Sequence, residues 1–182
     1  MNSRRITLPI LATLFTTFGL SPIASSVTIT GEIPVSLTIT AACAVNSGGG
    51  AGTTWGTIDF GSHSNLMTNI DSQVTNSGSS GITISCPVGL SAALKIGQGG
   101  NPLNSLRRLT PGTGTYNVPY RLYSDSTRST EIPLIDATGI AIPATGNPLL
   151  IPIYARIAPA DQTVMSPAAG SYTDTITATI EW

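Results

Sequence analysis

The stretch "SVTITGEIPVSLTITAAC", residues 26–43, decides how the rest of the chain is read. Its apolar residues Val27, Ile29, Ile33, Val35, Leu37 and Ile39 fall on odd positions and alternate with Thr28, Thr30, Glu32, Pro34, Ser36 and Thr38. A period of two belongs to a strand with one buried face, because successive side chains of an extended backbone point to opposite sides. Such a strand needs a surface to lie against, in its own chain or in another molecule.

The residues before it place this strand at the start of an exported chain. Arg4 and Arg5 are succeeded by a mainly apolar run over residues 6–20, then by Pro22 and the small residues Ala24, Ser25 and Ser26. That order is a signal peptide, residues 1–26, with cleavage expected after Ser26. Thr7, Pro9, Thr13, Thr16, Thr17 and Gly19 interrupt the run, which suits it poorly to a membrane span of about 20 apolar residues. The mature chain on this reading, residues 27–182, is 156 residues long, the size of one domain with a real core.

Composition excludes several functions. Removing Arg4 and Arg5 from eight basic residues leaves six against nine acidic ones, a net charge of −3. Charged residues make up 9% of the sequence, against roughly 25% in an average soluble domain. With Lys95 as its one lysine, the chain has no basic patch for nucleic acid and no charged face for a membrane. Cys43 and Cys86 are its two cysteines. In an exported chain with no Cys-rich or His-rich neighbourhood, an even pair is expected to form a disulfide rather than a metal site.

Strand patterns recur to the end of the chain, with no helical period after residue 26. Strands are expected over residues 56–61, 81–86, 92–96, 116–123, 149–157 and 172–182. Between them lie "NSGGGAG" at 46–52, "NSGSSG" at 76–81, "GQGGNP" at 97–102, "TPGTG" at 110–114 and "PATGNP" at 143–148. Short strands punctuated by Gly and Pro indicate an all-β antiparallel sandwich. In the final strand Ile176, Ala178, Ile180 and Trp182 share one face and Thr175, Thr177, Thr179 and Glu181 the other. An unpaired β-branched edge with so little charge invites pairing with another chain. An alternating leader and an open final strand are the two parts that β-strand addition between molecules requires.

Residues that carry chemistry are sparse. His63, the single histidine, stands between Ser62 and Ser64, but neighbours in sequence do not make a triad. The Gly clusters lack the strand–loop–helix setting of a phosphate cradle. Asp59, Asp71, Asp125, Asp136, Asp161 and Asp174 are scattered singly, so neither a paired-carboxylate site nor a calcium cage is visible. Asp174, between Thr173 and Thr175 at the start of the last strand, reads as a backbone hydrogen-bonding residue. No enzyme, cofactor or metal is expected.

The chain resembles the spore coat protein U domain family, which includes subunits of archaic chaperone–usher pili. The resemblance spans the leader ending at Cys43, "TIDFGSHS" at 57–64, "ITISCP" at 82–87, "YNVPYRLYSDS" at 116–126 and "GSYTDTITATIEW" at 170–182. "STRSTEIPLID" at 126–136 lacks the Trp–Gly pair that many members place there. The resemblance implies an immunoglobulin-like antiparallel sandwich, residues 39–182, that lacks its final strand. A periplasmic chaperone would hold it soluble and an outer-membrane usher would assemble it. A donor strand from another copy or a related pilin subunit, residues 27–38, would then complete it. On this reading Val27, Ile29, Gly31, Ile33, Val35 and Leu37 face the acceptor groove, and Ile176, Ala178, Ile180 and Trp182 form its strand. The product would be an extracellular pilus on a Gram-negative bacterium, serving attachment and biofilm formation. The competing expectation is a secreted or surface carbohydrate-binding or adhesin module with a complete sandwich. Its site would lie in the loops at 46–55 and 101–114, with Trp55 either stacking on a sugar or packed in the core.

Overall fold

The computed structural model describes residues 27–46, 53–135 and 137–182. The signal-peptide reading and Asp136 lie outside the described residues, as do residues 47–52 of the first glycine-rich loop. The chain divides into two units, Met1–Thr38 and Ile39–Trp182. In the first, residues 27–38 carry neither strand nor helix. Val27, Ile29, Ile33, Val35 and Leu37 are all more than four-fifths exposed.

The second unit is all-β among the described residues, apart from one 3-10 turn at Pro159–Asp161. One sheet has the order β1 (Ala44–Val45), β4 (Ile82–Ser85), β9 (Leu149–Ile151). A six-stranded sheet runs β11 (Tyr172–Thr173), β6 (Arg107–Pro111), β7 (Val118–Tyr123), β10 (Tyr154–Ile157), β3 (Ile70–Thr75), β2 (Thr57–Ile58). The third runs β12 (Ala178–Glu181), β5 (Ala92–Ile96), β8 (Ile140–Ile142). Every pairing is antiparallel. Alternation builds the core: β4 buries Ile82 and Ile84, β5 buries Ala92, Leu94 and Ile96, and β10 buries Ala155 and Ile157. Residues from all three sheets meet in one cluster.

Two stretches that alternate like single strands are each divided between two sheets. Residues 149–157 break at Pro152, giving β9 to one sheet and β10 to another. Proline has no N–H for a ladder, which disfavours it within a doubly paired stretch and suits the point where the chain passes between sheets. The next carbonyl, of Ile153, still accepts the Val74 N–H at 2.8 Å. Residues 172–182 likewise form β11 and β12, with 174–177 crossing between them.

The expected loop at 101–114 contains β6. Its Arg107 is 2% exposed, a charge at a position where a core strand would ordinarily show an apolar residue. The guanidinium is satisfied by carbonyls: Nε–H donates to Gly97 at 2.9 Å, Nη1 to Ile132 at 2.8 Å, and Nη2 to Pro133 at 3.0 Å and Ile96 at 3.3 Å. β3 buries only Ile70 and Val74 within "IDSQVT", and β8 is three residues long, so neither shows a strong pattern. The stretch without the Trp–Gly pair folds around the Asp125 carboxylate, which accepts the Thr130 N–H at 2.6 Å, the Ser129 N–H at 3.2 Å and the Thr127 hydroxyl. Those bonds, led by Thr127, hold the exposed Asp125 carboxyl below the ordinary carboxylate range.

Candidate functional site

Among the described residues each sheet has two edge strands, and two of these six, β12 and β1, concern the site. β12 is paired on one side, with Ala178 opposite Ile96 and Ile180 opposite Leu94. Just before that ladder, the Gly97 N–H donates to the Thr177 carbonyl at 2.8 Å. Alternate residues of a strand direct their N–H and C=O to opposite edges. With Thr177 directed at β5, Ala178 and Ile180 direct theirs to the open edge. Among the described residues β1 is paired with β4 alone. There the Asn46 N–H donates to Thr83 at 2.8 Å, so Val45 directs its backbone groups away from β4.

Both edges line an apolar groove of about 1160 Å³. Cys43 and Val45 stand in one wall and Ile176, Ala178 and Ile180 in the other, while buried Val74, Ile82, Ile96 and Leu122 form its floor. A small-molecule pocket holds roughly 300–1,000 Å³. The size and the unpaired edges suit an extended peptide segment.

The expected acceptor residues divide in two. Ile176, Ala178 and Ile180 are half-buried against the core and alternate with exposed Thr175, Thr177 and Thr179. Trp182 lines the groove but is 58% exposed, because it lies beyond the last ladder pair, Glu181 with Ala93. Trp55 is half-buried against the core and also lines the groove, so both tryptophans of the chain border it. Cys43 and Cys86 form the expected disulfide, S–S 2.10 Å, which joins the wall at β1 to the residue just after β4.

The opposite wall, Val45 with Ile58 and Phe60, is not among the residues that the sequence singles out for the groove. The alternation Ile58, Phe60 in "TIDF" is its one local signal.

Asp174 is the one charged side chain among the groove's lining residues, and other charged groups are paired away from it. Asp71 accepts from Arg156 Nε at 2.6 Å and Nη2 at 2.8 Å, with Arg128 3.3 Å away. The Arg156 hydrogen bonds hold its carboxyl below the ordinary range. Arg121 donates to both oxygens of Asp161 at 2.7 Å and to Glu131 at 2.7 Å. Lys95 pairs with Glu181 at 2.6 Å. His63 Nε2–H donates to the Phe60 carbonyl at 2.7 Å. Among the described residues no three His, Cys, Asp or Glu side chains are grouped to hold a metal ion.

The second unit is all-β among the described residues, and its main cavity is an apolar groove edged by strands. The chain matches the Spore Coat Protein U domain over residues 29–179 and belongs to that family, whose members are structural coat and pilin domains rather than enzymes. It is similar to Protein U of Myxococcus xanthus, 29% identical over 163 residues that cover 86% of this chain and 87% of that protein.

Proposed function

We propose that this chain is a structural subunit of a chaperone–usher pilus that polymerises by donor-strand exchange and serves surface attachment and biofilm formation. The observation that carries the reading is the apolar groove with an unpaired strand edge in each wall, in a chain whose residues 27–37 alternate apolar and polar side chains. In this reading the second unit is an immunoglobulin-like sandwich that lacks one strand. Residues 27–37 of the next copy or of a related pilin fill the place, with Val27, Ile29, Ile33, Val35 and Leu37 directed into the groove and Gly31 in the same register. The chain is exported to the periplasm and cleaved after Ser26. A periplasmic chaperone strand occupies the groove in transit, and an outer-membrane usher exchanges it for the donor.

Five apolar side chains at about 1.5–3 kcal/mol each contribute roughly 8–15 kcal/mol gross, an upper bound before ordering costs. That is comparable to the whole stability of a domain, about 5–15 kcal/mol. An unfilled subunit is accordingly marginal. Pro34 has no N–H, so the donor ladder lacks one bond there.

Deleting residues 27–35 tests the reading. The truncated subunit should bind a chaperone and accept a donor but end any fibre it joins. If it unfolds while the full-length monomer stays folded at high dilution, the leader is an ordinary strand of its own chain and the proposal fails.

A further inference from the structure

Resting on that reading, we propose that Asp174 and Tyr120 form a clamp that fixes the acceptor strand β12 in place for an incoming strand, which makes Asp174 a positioning residue of the groove. The problem it solves is topological. β11 ends at Thr173 in the six-stranded sheet and β12 begins at Ala178 in another, so residues 174–177 cross between sheets. β12 then has one paired edge and one open edge.

The crossing is held at its first residue. Asp174 Oδ2 accepts the Tyr120 hydroxyl at 2.6 Å. Asp174 Oδ1 accepts the Gly100 N–H and the Thr175 N–H, both at 2.8 Å. One carboxylate thereby gathers a loop that succeeds β5, a strand of the six-stranded sheet and the approach to β12.

Each partner is itself fixed. Tyr120 is 2% exposed, with the Phe60 ring set edge-on at 6.1 Å between centroids. Gly99 has φ +81°, and an added Cβ there would collide with the Asp174 carboxylate. The buried Arg107 holds the start of the same loop through the Gly97 carbonyl. Asp174 and Tyr120 both line the groove alongside Ile176, Ala178 and Ile180.

A strand that must first be ordered is captured less readily, since apparent affinity falls with the fraction of acceptor in the competent arrangement. A residue that supported the fold in general would weaken empty and filled subunits alike and leave donor uptake unchanged. The clamp instead acts on uptake.

The test monitors the fluorescence of Trp55 and Trp182 while the chain of residues 27–182, at low micromolar concentration, takes up an excess of a synthetic peptide of residues 27–38. Amide hydrogen exchange at Thr179 and Glu181, which face β5, is measured in parallel. Asp174→Ala should slow peptide association at least tenfold and Tyr120→Phe at least threefold, with faster exchange at both amides. Asp174→Asn, which keeps a carbonyl oxygen for the two N–H groups, should stay within about twofold of the parent. Equal association rates in all variants, or unchanged exchange at Thr179 and Glu181, overturn the clamp. If Asp174→Ala does not fold, Tyr120→Phe, which removes one hydroxyl, decides the matter by the same criteria. A parent that takes up no peptide overturns strand addition instead, and amide exchange alone then decides the clamp.

Discussion

Replacing both cysteines, Cys43→Ser with Cys86→Ser, should loosen one wall of the groove and lower the stability of the whole unit. Among the described residues β1 is held to β4 by two residue pairs, Ala44 with Ser85 and Val45 with Ile84, and by the adjoining Asn46 N–H to the Thr83 carbonyl. The disulfide stands beside the first of them and spans 43 residues of sequence. Closing a loop of about 44 residues restricts the unfolded chain by roughly 4 kcal/mol in the chain-entropy treatment. For a unit of this size each kcal/mol moves the melting midpoint by about 2–4 °C, so a fall of roughly 8–16 °C is expected. Thermal and urea unfolding, monitored by tryptophan fluorescence and far-ultraviolet circular dichroism, would measure it. Uptake of the peptide of residues 27–38 should also weaken at a temperature where the variant is still folded, because Val45 no longer has a fixed place. A midpoint within about 2 °C of the parent, with unchanged uptake, would refute the reasoning that so short a strand depends on its covalent tie.

Three further outcomes are expected. Arg107→Met should cost about 3–5 kcal/mol in urea unfolding, because the Gly97, Ile96, Ile132 and Pro133 carbonyls lose their donor; a loss under about 1 kcal/mol would count against a satisfied buried cation. Ala178→Asp should leave the empty subunit folded, since that side chain is only half-buried, but should weaken donor-peptide binding by roughly a hundredfold as the carboxylate is covered; unchanged affinity in a titration would place the peptide elsewhere. Asp71 has a carboxyl held low in the folded state by Arg156, so its contribution is present above the ordinary carboxylate pKa of about 4 and is lost as acidification passes down through the folded value. Asp71→Asn should therefore flatten part of the stability change between pH 7 and pH 3; because the site is exposed, the effect at pH 7 should stay below about 1 kcal/mol, and identical acid profiles would remove the ion pair from the account.

Local alternation was enough to mark β4, β5 and β7, the half-buried face Ile176, Ala178 and Ile180, and the apolar register of residues 27–37. An even pair of cysteines with no Cys-rich or His-rich neighbourhood was enough to expect the Cys43–Cys86 bridge. The strands and the bridge were legible because side-chain period and oxidising chemistry are properties of short stretches or of composition, whereas residues 27–38 form no strand in this chain and their register belongs to the proposal. Arg107 marks where that information ends. A guanidinium looks solvated until four carbonyls from residues 96, 97, 132 and 133 converge on it, and nothing near residue 107 in sequence announces them. The same holds for the break at Pro152 and for the crossing at Asp174, where one alternating stretch serves two sheets. The groove is the plainest case: the face of β12 is written in its own residues, but its opposite wall comes from Cys43 and Val45, more than 130 residues earlier. Which edges stay open depends on long-range pairing that many alternating strands could satisfy equally well, so tertiary structure alone chooses among them.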